Sequence, residues 1–66
     1  MSIAKIIEIS AESTQSFEDA IRQGIETAAR SVHNIHGAWV KEQSVVIDDG
    51  RIVTFRVNLK LTFVLD

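Results

Sequence analysis

Trp39 is the single tryptophan of a 66-residue chain whose other aromatic residues are three phenylalanines. An indole this isolated has two chemical uses: it fills an apolar pocket on a partner, or it offers its face to a planar ring. Strict strand alternation places Trp39 with Lys41, Gln43, Val45 and Ile47, so the Gln43 amide is expected on its side. Arg56 and Lys60, two cations four residues apart, have the chemistry to hold the phosphate of a ligand, or to be solvated or paired with a neighbour's Glu. His33 and His36 have the spacing of two metal ligands on one helical turn. The helix is expected to stop between them, however, and no third ligand is evident. Asp48-Asp49-Gly50 carries oxygens that Ca²⁺ accepts, but Asp and Gly are also what a tight hairpin demands. Thiol chemistry is excluded by the absence of cysteine, and no serine sits in a G-x-S-x-G setting. Glycines 24, 37 and 50 are too far apart for a phosphate loop. The carboxylates read as solvated surface charge, so no catalytic constellation emerges and the chain is read as a non-enzyme.

These residues must be positioned by a small set of elements. Residues 3–10 (I-A-K-I-I-E-I-S) are β-branched and short, as in a strand. Ser16, with Asp19 three residues on, opens a helix whose apolar stripe is Phe17, Ala20, Ile21, Ile25, Ala28 and Val32. Glu18/Arg22 and Glu26/Arg30 form i,i+4 pairs on the other side. The helix is expected to close near Val32-His33-Asn34, with Asn34 as a left-handed cap. Gly24 in its middle costs roughly 1 kcal/mol relative to Ala and predicts a close approach to a neighbouring backbone. A strand from about Ala38 to Ile47, a turn at Asp48-Asp49-Gly50 and a long last strand complete a hairpin. In that strand Val53, Phe55, Val57, Leu59, Leu61, Phe63 and Leu65 point one way, and Thr54, Arg56, Asn58, Lys60 and Thr62 the other. The reading is α+β: a β-α-β-β single domain over residues 1–66, three antiparallel strands with one helix packed across one face.

Such a chain has a difficulty with size. A domain this short buries only about 60% of the surface of its unfolded chain. Ordering it costs on the order of 1.5 kcal/mol per residue, which its own core only just offsets. A helix of about 17 residues covers about 25 Å, against about 40 Å for the last strand. Without disulfides, and with little ligand chemistry for a metal, assembly with further copies is the expected solution. Seven Lys and Arg against nine Asp and Glu leave a net charge of -2, which argues against a nucleic-acid partner. With 45% hydrophobic residues the chain is a folded one, and it has neither a long apolar run nor a basic-then-apolar leader. A cytoplasmic location with no membrane contact is therefore expected.

The whole chain resembles a dodecin. The resemblance is carried by K-I-I-E-I-S, by S-F-E-D-A-I at the helix start, by N-I-H-G-A-W-V-K-E-Q, and by the closing F-R-V-N-L-K-L-T-F-V-L. It implies a hollow homododecamer of 23 symmetry with helices outside and sheets toward the interior. In flavin-binding dodecins a Trp at the start of the second strand stacks on the isoalloxazine ring, and a Gln on the third strand bonds its edge. Here Gly37 stands where that Trp is usual and Arg56 where that Gln is usual, while Trp39 lies two residues further on. The resemblance thus implies a storage protein that sequesters flavin (FMN or riboflavin), with Trp39 stacking and Gln43 and Arg56 as polar contacts. An arrangement like V-x-E-Q is similar to a calcium-binding dodecin subgroup. The alternative is therefore a shell that binds Ca²⁺ rather than flavin, or serves only as an assembly.

Overall fold

The computed structural model describes residues 3–65, in the order β1 (Ile3–Ser13), α1 (Phe17–Ala28), β2 (Ile35–Asp48) and β3 (Arg51–Leu65). Met1, Ser2 and Asp66, part of the expected 1–66 domain, lie outside the described residues. The three strands form one antiparallel sheet in the order β1-β3-β2, so the strand with the cleanest alternation is central. Its apolar side meets Ile7, Ile9 and Ala11 across β1, and its polar side meets Glu8, Ser10 and Glu12. The β-α-β-β sheet with a helix on one face is as the pattern predicts.

Both ends of α1 show local chemistry at work. The Asp19 backbone N–H donates to Ser16 Oγ at 2.9 Å, satisfying one of the amides that the first turn leaves without a partner. The Asp19 carboxylate accepts from Ser13 Oγ and Gln23 Nε2, each at 2.6 Å, which ties the end of β1 to the helix start. Regular helix stops at Ala28, four residues before Val32, because the chain tightens there. Arg30 N–H donates to Thr27 O and Ser31 N–H to Ala28 O. Asn34 does take a left-handed conformation, with φ 63°, but it turns the chain into β2 instead of capping the helix. Glu18 and Arg22 pair at 2.7 Å, whereas no Glu26–Arg30 ion pair occurs among the described residues, since Arg30 has left the helix.

The hairpin turn is two residues long, Asp49 at φ 52° and Gly50 at φ 72°, closing the Asp48–Arg51 pair. Two consecutive positive φ values are the type I′ geometry that Asp-Gly favours, and its twist matches that of the flanking strands. Gly24 explains the close helix–sheet packing. A Cβ there would lie 3.0 Å from Ala11 Cβ and 3.6 Å from Leu59 Cδ1. Gly24→Ala should therefore lower the thermal midpoint despite the roughly 1 kcal/mol gained in helix propensity. A midpoint unchanged or raised would mean that the helix can move off the sheet freely.

Among the described residues only Ala20, Val57, Leu59 and Leu61 form a fully buried hydrophobic core, with Ile7, Ile9, Phe17, Ile21 and Ile25 partly buried around it. Phe17 and Phe55 meet edge to face at 5.1 Å. A helix of 12 residues reaches about 18 Å. The molecule measures 52 × 19 × 13 Å. Its radius of gyration is 13.6 Å, where a compact 66-residue chain has about 11 Å. It exposes 4892 Å², against about 4,200 Å² for a folded monomer of its mass. Val40, Ile47, Ile52 and Val53 are exposed along the hairpin, and Ile3 and Leu65 at the other end. The uncovered length inferred from the sequence is therefore real, and larger than expected, because the helix is shorter.

Candidate functional site

The polar side of the sheet is organised in rows that cross all three strands. Trp39 on β2 lies opposite Lys60, which lies opposite Glu8 on β1. The next row is Glu42, Asn58 and Ser10, and the one after is Ser44, Arg56 and Glu12. Residues directly opposite share a face, so this register alone places these side chains on one surface. Trp39 is 57% exposed. The Lys60 ammonium stands 5.9 Å from the centre of its ring, at the outer range of a cation–π contact.

Beside Trp39 the second and third rows line an open trough of about 370 Å³, bounded by Ser10, Glu12, Glu42, Ser44, Arg56 and Asn58. Arg56 Nε donates to Glu12 Oε1 at 3.4 Å, a long contact between half-exposed groups. Such a pair contributes about 0–1 kcal/mol and yields readily to a better partner. Lys41 Nζ bonds both oxygens of Glu8, at 3.2 and 3.3 Å, and so bridges the two edge strands across β3. On the other side of Trp39, Gly37 leaves the face without a side chain. A Cβ there would meet Thr62 Oγ1 at 3.0 Å. Thr62 Oγ1 donates to the Gly37 carbonyl at 3.3 Å.

Of the three residues singled out for ligand contacts, the fold brings Trp39 and Arg56 to the same face, two rows apart. Gln43 is not with them. A bulge between Val40 and Glu42 inserts Lys41 as an extra residue, so Gln43 pairs with Val57 on the helix side of the sheet. The expected grouping of Gln43 with Trp39 fails for that reason, and Glu42 and Ser44 take its place. The signal lay in the apolar positions of β2. Ala38 and Val40 are even-numbered and Val45 and Ile47 odd-numbered, a change of parity that requires one extra residue between them. His33 and His36 are exposed, and the described residues contain no group of three His, Asp or Glu placed to hold a metal. Among the described residues no helix is long and apolar enough to cross a membrane.

A short helix on a long, half-covered sheet, with one exposed indole on the polar side, defines a subunit that other copies must complete. The chain belongs to the dodecin family, whose model matches residues 3–66. It is 35% identical over 63 residues to the calcium dodecin of Mycobacterium tuberculosis, covering 96% of this chain and 89% of that protein. The crystal structure of that protein, described as a calcium-chelating antigen with a novel calcium-binding site, matches with a TM-score of 0.84. The match covers 98% of this chain and 93% of that one. Dodecin from Streptomyces davaonensis is 31% identical with a TM-score of 0.93, over 98% and 96% of the two chains. A variant of T. thermophilus dodecin, at 23% identity, shares the fold with a TM-score of 0.94 over 100% of this chain and 97% of that one.

Proposed function

We propose that this chain is the subunit of a hollow homododecamer that binds and stores flavin without turning it over, with Trp39 as the stacking platform. The observation that carries the reading is the half-exposed indole on the polar face, flanked by Gly37, which sets no side chain beside it, and by the trough that ends at Arg56. A planar ring laid on Trp39 buries apolar area on both partners, and its edge and tail meet the polar groups along β3. Ser10 and Ser44 have no histidine beside them in the trough, so binding and quenching, not group transfer, suit the site. The twelve-subunit closure is consistent with the dodecin neighbours and supplies the partners that the exposed hairpin face lacks.

The test is a titration of riboflavin or FMN with the purified protein, read as flavin fluorescence. Saturable quenching supports the reading, and unchanged emission contradicts it. A second reading is supported by the kinship with a calcium dodecin: Ca²⁺ held by carboxylates of different subunits. Within one subunit the trough suits this poorly, because Arg56 sits beside Glu12. Calorimetric titration with Ca²⁺ alone, showing heat and no flavin quenching, would favour the ion.

A further inference from the structure

β2 carries one residue more than β3 between two fixed points. Val40 pairs with Leu59 and Val45 with Phe55 on the helix side, so five residue steps of β2 run against four of β3. The extra residue is Lys41, and Glu42, Gln43 and Ser44 pair with Asn58, Val57 and Arg56. All four residues of this run are polar and exposed, and β2 is an edge strand with a single ladder to satisfy. A polar stretch does not fix its own register. An antiparallel ladder repeats every two residues, so a bulge moved by two keeps the same kind of geometry. Moved from Lys41 to Gln43, it leaves the Val40–Leu59, Ser44–Arg56 and Val45–Phe55 pairs as they are. Lys41 then faces Asn58, Glu42 faces Val57 on the helix side, and Gln43 becomes the extra residue. The bulged Lys41 turns its ammonium to Glu8 on the polar face, so a bulged Gln43 turns its amide to that face too.

We propose that β2 switches between these two registers, and that the switch sets the charge of the face carrying Trp39. In the observed register Glu8, Glu12 and Glu42 balance Lys41, Arg56 and Lys60 on that face. In the second, Glu42 leaves it and Gln43 arrives beside Arg56, so one cation is in excess. An anionic ligand, or one read by an amide, draws β2 into the second register. A divalent cation holds it in the first, each ligand acting through its differential affinity. The second register is the minor one. It sets a carboxylate in place of an amide near Val40 and Val45, on the apolar side, where a charge costs more to desolvate. The inference rests on strand pairing alone and stands whether or not a flavin stacks on Trp39.

The chain has no cysteine, so introduced pairs can report the register. Glu42→Cys with Asn58→Cys are opposed only in the first register, and Gln43→Cys with Arg56→Cys share a face only in the second. Gln43→Cys with Lys60→Cys is out of reach in both and measures bridging through unfolding. The intact protein is oxidised mildly, and loss of free thiols with no gain in the mass of the denatured subunit reads a bridge within one chain. The first pair should bridge fastest and show that the fold survives the substitutions. The second should bridge more slowly, yet on the order of tenfold faster than the third, because a minor state is populated at about 0.1–10% and the unfolded chain far less. Adding Glu42→Val, which sets an apolar residue opposite Val57, should speed the second pair about fivefold and leave the third as it was. A second pair that bridges no faster than the third, or that ignores Glu42→Val, would overturn the switch.

Discussion

Replacing Leu59 by alanine should unfold the subunit at ordinary temperature or take it close to that point. Leu59 is fully buried at the centre of the middle strand, opposite Ile9 on β1 and Val40 on β2, and beneath Gly24 of the helix. Truncating such a leucine costs about 2–5 kcal/mol, because the surrounding residues cannot collapse onto the vacated volume. A chain of this length has on the order of 3–10 kcal/mol of stability in total. With only four hydrophobic residues fully buried among the described residues, the subunit itself has no second core to share the loss. Circular dichroism against temperature should show the midpoint fall by at least about 10 °C. A fall of only a few degrees would mean that Leu59 is not the centre on which the helix and the three strands meet.

Trp39→Ala should abolish measurable flavin quenching while the fold and the size of the assembly stay as they are. Trp39 is 57% exposed and stands apart from the buried core, so its removal leaves no cavity. Within the subunit the substitution gives up the approach of Lys60 to the ring at 5.9 Å, worth about 0.5–1 kcal/mol at an exposed site. Stacking of a flat heterocycle on an aromatic side chain contributes about 1–3 kcal/mol per ring, and a ligand held between two such faces loses both. Affinity should therefore drop on the order of a hundredfold, with Trp39→Phe recovering part of it. If assembly falls apart while the affinity per intact shell is kept, Trp39 is an anchor between subunits instead, the other role its chemistry allows.

The fold was legible in the sequence where alternation was strict. β3 shows seven apolar residues at every second position, which separate its apolar face from its polar one, while its central place came only with the strand pairing. Ser16 and the Asp-Gly pair marked the helix start and the hairpin turn because each satisfies a backbone requirement by itself. The helix end was legible less well, since Val32 continues the apolar stripe past the point where hydrogen bonding tightens. The site was legible in part. Trp39 and Arg56 are where a strand reading puts them, but the run Lys41-Glu42-Gln43-Ser44 is polar throughout and carries no alternation to fix its register. The parity change between Val40 and Val45 signals an extra residue in this run, but that it is Lys41, so that Gln43 reverses and Glu42 and Ser44 enter the trough, follows only from the pairing with β3.

All of this depends on a core that one copy leaves unfinished, and light scattering of the protein on serial dilution addresses that directly. A single species near 89 kDa, twelve times the 7.4 kDa subunit, is the predicted result, with loss of that mass accompanied by loss of the fold. A folded particle of 7.4 kDa persisting at low concentration would show that the long sheet needs no sister copies, and would contradict the account.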